Sequence, residues 1–125
     1  MKKRVLFVVP LFVIGGLASA CTPTPSAPKP KPSPPALPSI VGTPSVGTTL
    51  TATTGNWLYS PTSFNYSWQR CTDIVATSCV QVATTSAYTL VPADEGSWIF
   101  VGVTGVNGAG TGGSMSSSGV GPVTP

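Results

Sequence analysis

The reactive side chains of this 125-residue chain are few, and three of them are cysteines: Cys21, Cys71 and Cys79. A thiol can be oxidised to a disulfide, ligate a metal, attack an electrophile or carry a lipid. Three thiols leave one over once two have paired. Cys71 and Cys79 stand close together in a stretch rich in strand formers, so the odd thiol is Cys21. Groups for proton transfer are scarce. The chain has no histidine and three carboxylates, Asp73, Asp94 and Glu95. Glu95 adjoins Asp94 just before Gly96, where Asp94 serves better as a turn cap than as an acid or base. Asp73 lies between Cys71 and Cys79 and is expected to be solvated. Both lysines beyond the first few residues, Lys29 and Lys31, sit among prolines, away from any serine in a strand pattern. No catalytic constellation, cofactor site or metal site is predicted, and a Cys71–Cys79 metal site would lack further ligands.

The elements that position these groups begin with an export signal. Met1, Lys2, Lys3 and Arg4 form a positive start, and residues 5–17 are apolar apart from Pro10 and the Gly15-Gly16 pair. Ala18-Ser19-Ala20 is small and cleavable. This is the layout of a signal peptide over residues 1–20, too short and too rich in small residues for a retained membrane span. The same stretch is similar to a bacterial lipobox, with Cys21 as the lipidated residue. Leu17 stands one position further out than the aliphatic residue of the usual lipobox, and Ala18 fills that slot. A thioether-linked lipid accounts for the odd cysteine, and two or three acyl chains hold a protein at a bilayer where one does not. The expected location is the outer face of the cell membrane, with plain secretion as the alternative.

The formal net charge of +3 is a property of the signal segment. Beyond Cys21, Lys29, Lys31 and Arg70 balance Asp73, Asp94 and Glu95. A lone arginine is no basic face, so nucleic acid is not expected as a partner. Residues 21–38 carry the lipidation site and then a proline at nearly every second position, from Pro23 to Pro38. Proline removes backbone donors and fixes φ, which predicts a polyproline II spacer of about 3.1 Å per residue, on the order of 50 Å in all. Glycosylation of this tether is left open by the sequence.

Residues 39–120 read as strands and turns. Val46, Thr48, Leu50 and Ala52 share one parity. Phe64, Tyr66 and Trp68 alternate with Asn65, Ser67 and Gln69, placing three rings on one face. Residues 79–82 make a short strand, Tyr88 and Leu90 follow, and Asp94-Glu95-Gly96 turns the chain. In the apolar run 98–106, Ile99, Val101 and Val103 face one way and Trp98 and Phe100 the other. A weak strand over 111–118 and a flexible tail over 121–125 complete the pattern. About six or seven short antiparallel strands separated by turn signals predict an all-β sandwich.

Several stretches together carry a resemblance: Gly42-Thr43-Pro44, Gly55-Asn56-Trp57, Tyr66-Ser67-Trp68-Gln69-Arg70-Cys71 with Cys79, Tyr88-Thr89-Leu90, Asp94-Glu95-Gly96 and Val103-Thr104-Gly105-Val106-Asn107-Gly108. The region resembles a bacterial immunoglobulin-like repeat of the kind found in surface proteins of high-GC Gram-positive bacteria. The resemblance implies an immunoglobulin-like β-sandwich and no activity. Trp68, Tyr66, Leu50, Leu90, Val101 and Val103 are expected in the core. Cys71 and Cys79 are expected to close a small disulfide loop, as export permits. Trp57, Tyr59 and Trp98 are the candidate binding residues, since exposed rings at sandwich loops stack on sugars or anchor proteins. For Trp57 and Tyr59, packing over the end of the sandwich competes with that role. The expected function is a non-enzymatic, monomeric surface module, structural, adhesive or protein-binding, with a cell-envelope protein or polysaccharide as partner. A carbohydrate-binding module is the alternative.

Overall fold

The computed structural model describes residues 27–125. The predicted signal peptide and the lipidation site at Cys21 lie outside the described residues. Seven strands run through the chain: β1 (Ile40–Val41), β2 (Thr49–Ala52), β3 (Ser63–Cys71), β4 (Cys79–Ala83), β5 (Ala87–Thr89), β6 (Trp98–Asn107) and β7 (Gly110–Ser116). They form two antiparallel sheets, one in the order β1-β2-β5 and the other in the order β4-β3-β6-β7. The chain changes sheet between β2 and β3, between β4 and β5, and between β5 and β6. This is the all-β sandwich that the strand pattern predicts, in the immunoglobulin-like form that the resemblance implies.

The ladder between β3 and β6 is the spine. It pairs every residue of β3, from Ser63 with Val106 to Cys71 with Trp98. Period-two alternation makes this pairing productive: Trp68, Ile99, Val101 and Val103 are fully buried, and Leu50 and Ala52 face them from β2. Leu90 and Val123 complete the buried cluster, with Phe64, Tyr66, Val82 and Tyr88 packed at its margin. Trp68 donates its indole N–H to the Thr85 carbonyl at 2.7 Å, and its ring stands 6.1 Å from that of Tyr88. A buried ring thus keeps its one polar atom satisfied.

Both faces of β6 carry bulk, as its composition predicts, and most of that bulk is covered. Phe100, on the outer face, lies against the backbone of Gly119 and is buried, whereas Trp98 is half-buried. The weak strand expected over 111–118 is β7, paired with β6 through a register shift near Gly105.

The packing reaches beyond residues 39–120 on both sides. At the C-terminal side, Val123 is buried and its amide donates to Ser97 O. Val46 donates to Thr124 O, and Thr124 donates in turn to Pro44 O. The segment expected as a flexible tail is therefore bonded to both the β1–β2 connection and the turn before β6. At the N-terminal side, Pro32 and Pro38 are buried and Ser33 forms an isolated bridge with Leu58. Residues 30–38 continue the line of β1 beside residues 53–58. Prolines fit there because an edge needs no inward donors from them, while their carbonyls still accept.

Candidate functional site

The polar chemistry of the module converges on Asp94, which is fully buried. It closes the 3-10 turn Pro92–Asp94 after β5, and that turn drops its carboxylate beneath the end of β3. One oxygen accepts from Arg70 Nη1 at 3.1 Å. The other accepts from the Tyr88 hydroxyl and from the Val91 amide, each at 2.8 Å. Burial and the bond to Asp94 push the Tyr88 hydroxyl up to about 12. Both oxygens of this fully buried carboxylate are thereby engaged within the fold. A general acid or base needs a free face toward a substrate, and this group has none. Its cap role was legible in the Asp-Glu-Gly turn. Arg70 and Tyr88 were not legible as partners, because strand register brings them there from distant positions.

The second polar cluster closes the β3–β4 hairpin. Cys71 and Cys79 are joined by a disulfide across adjacent strands. Inside that ring the Asp73 carboxylate accepts from the Thr77 amide at 3.1 Å and from the Thr77 hydroxyl. Thr77 holds Asp73 below the ordinary carboxylate range. Ala76 takes a positive φ of 54° to complete the turn. At its tip Ile74 and Val75 are 57% and 71% exposed, although both are residues that usually pack inside. No group of three His, Cys, Asp or Glu side chains is placed to hold a metal among the described residues.

The three candidate binding aromatics do not share a surface. Trp57 is half-buried, donates Nε1 to Thr54 O at 2.6 Å, and packs tilted on Phe64 with ring centroids 5.8 Å apart. Its ring lies over Gly105, so tightly that a methyl there would approach it to 2.8 Å. Tyr59 is 48% exposed at the same end of the sandwich. Trp98 pairs with Cys71 at the other end of the spine, seven positions along β6 from Gly105 and so about 23 Å away. Trp57 and Tyr59 thus lie at one end and Trp98 at the other, and Trp57 turns much of its face inward, where stacking on a sugar chain favours two open rings in one plane. Of the core candidates, Trp68, Leu50, Leu90, Val101 and Val103 are buried and Tyr66 is half-buried.

One arrangement lay outside the sequence reading altogether. Asn107, at the end of β6, is buried, and its amide nitrogen donates to Pro30 O at 3.0 Å and to Tyr59 O at 2.9 Å. Its oxygen accepts from the Ala109 amide at 2.8 Å. A single side chain thus ties the proline-rich segment, the aromatic loop and the β6–β7 turn together. The Asn-Gly pair signals the turn, and the side chain's second task has no local signature. No protein-family model matches the chain, and no curated protein matches it.

Proposed function

We propose that the chain is a non-enzymatic interaction module, exported, lipidated at Cys21 and displayed on the outer face of a bacterial membrane. The lipobox-like stretch and the odd cysteine support the anchor. The observation that carries the display role is the polarity of the sandwich. The N-terminal segment meets the module at the Asn107–Tyr59 end, while the disulfide-closed loop with Ile74 and Val75 stands at the other end of β3. Nine residues of strand separate the two ends by roughly 27 Å. A stiff loop that exposes two β-branched side chains on the side remote from the tether suits contact with an apolar patch on an envelope protein.

The carbohydrate-binding reading asks for a platform of two rings, and Trp57 spends its indole N–H and much of its face inside the fold. Ile74→Ser with Val75→Ser separates the two readings. Both positions are exposed, so the double variant keeps its melting temperature. Under the protein-binding reading it loses cross-linking to an envelope protein on intact host cells, and Tyr59→Ala does not. Retained cross-linking in the double variant, or saturable binding of envelope polysaccharide abolished by Tyr59→Ala, contradicts the loop as the contact surface.

A further inference from the structure

We propose that the cleft between Trp57, Gly105, Gly112 and Asn107 is a recognition site for proline-rich peptides, filled in cis by this chain's own residues 30–33. Five contacts define the cleft. Pro32 is buried on the paired strands β6 and β7, where two glycines leave room for its ring. A methyl on Gly105 would reach the Pro32 Cβ at 3.1 Å, and one on Gly112 would reach it at 3.0 Å and overlap the Pro32 carbonyl. Trp57 forms the wall, since its ring and Pro32 both lie over Gly105. Two donors then read the ligand backbone: Asn107 Nδ2 to Pro30 O at 3.0 Å, and the Leu58 amide to Ser33 O at 2.8 Å.

An aromatic wall, a notch that admits a pyrrolidine ring, and donors aimed at carbonyls are the requirements for binding a polyproline II segment. Proline segments keep their carbonyl acceptors, and the cleft aims two donors at them. The ligand class is therefore Pro-x-Pro-Ser, read from Pro30-Lys31-Pro32-Ser33. The Lys31 stem passes over Gly110, so the x position tolerates a long side chain. Proline also spans residues 28–32 with period two, as Pro28-Lys29-Pro30-Lys31-Pro32, so the tether holds a second overlapping Pro-Lys-Pro.

The cis strap meets the cleft at an effective concentration in the millimolar range, as short linkers give. A free peptide competes only near or above that level, and binds more tightly once the strap is removed. Docking also changes the reach of the tether. Docking takes residues 30–38 out of the tether, and their release lengthens the spacer by on the order of 28 Å. The inference rests on these contacts and is independent of the lipid anchor and of the display role.

The test uses the exported chain and a synthetic peptide of residues 28–35. With Pro30→Gly and Pro32→Gly together, the cleft is emptied. The peptide must then cause saturable NMR shifts at the Leu58 amide, the Asn107 side-chain amide and the Trp57 indole. Adding Gly112→Ala, which blocks the notch, must weaken binding at least tenfold, and a peptide with both Pro-Lys-Pro units scrambled must not bind. The unmodified chain supplies a test that no folding defect can spoil: roughly 10 mM unlabelled peptide must raise exchange of the chain's own Ser33 amide, bridged to Leu58, at least threefold while Val101 exchange stays unchanged. Absence of shifts in the emptied protein with Val101 still protected, or no change at the Ser33 amide in the unmodified chain, overturns the proposal.

Discussion

Asp94 is the residue on which the turn between the sheets depends. It is a buried charge with one cationic partner, Arg70, and two neutral donors, and removing such a hub leaves all three without their acceptor. Asp94→Ala is expected to cost about 3 kcal/mol in denaturant unfolding. Arg70→Lys, which keeps charge and loses the planar fork, costs less. Tyr88 gives the same node a pH dependence of definite sign. Its hydroxyl titrates near 12 in the fold, above the ordinary tyrosine value of 10.0. The folded state therefore holds a proton that the unfolded state has lost, and stability falls as pH rises from 10 to 12. Partial exposure limits the loss to on the order of 1 kcal/mol. Tyr88→Phe removes that alkaline fall at the cost of one hydrogen bond, measured as melting temperature against pH. At this scale the sequence showed which residue caps the turn. It did not show Arg70, 24 positions away, because no periodicity links a strand end to a turn in another part of the chain.

At the scale of elements, β3 and β6 were the most legible, since Phe64, Tyr66 and Trp68 alternate and Ile99, Val101 and Val103 share a face. Burying Trp68 completely makes Trp68→Ala a loss of about 3–5 kcal/mol, with the Thr85 carbonyl also left without its donor. The β3–β4 hairpin adds a cross-link. The disulfide closes a ring with a sequence separation of 8, and the chain-entropy relation assigns that ring roughly 2–3 kcal/mol. Cys71→Ser with Cys79→Ser should lower unfolding stability by about that amount and leave the far-ultraviolet spectrum unchanged. Asp73 acts on the same loop with the opposite pH sense to Tyr88. Its lowered folded pKa gives stability that is present above its ordinary value of 3.8 and lost as pH falls through the folded value. The protection factor of the Thr77 amide should fall on that acid limb, and Asp73→Asn should make that protection factor independent of pH there. The strap over residues 30–38 was the least legible element. Its prolines argue correctly against helix and central strand, and that composition also describes a free spacer. What separates the two is the glycine-floored notch at Gly105 and Gly112, built from strands more than seventy positions away.

At the scale of the whole molecule, a modest core is closed at each end by chain that reads as linker. Val123 seals one end and Pro32 the other, so the folded unit takes in both flanks of the strand region. The module consequently has a defined direction: tether and Asn107 at one end, disulfide loop at the other. A sandwich so oriented presents Ile74 and Val75 outward if the chain is held by its N-terminal side, and the anchor is the premise that display depends on. Intact mass of the protein made in its native host, from membrane and medium fractions, tests that premise together with the cross-link. The expected result is a membrane-bound species that starts at Cys21, carries at least the added mass of a diacylglycerol, and is two hydrogens lighter than the reduced chain. An unlipidated species in the medium, starting at Cys21, contradicts it.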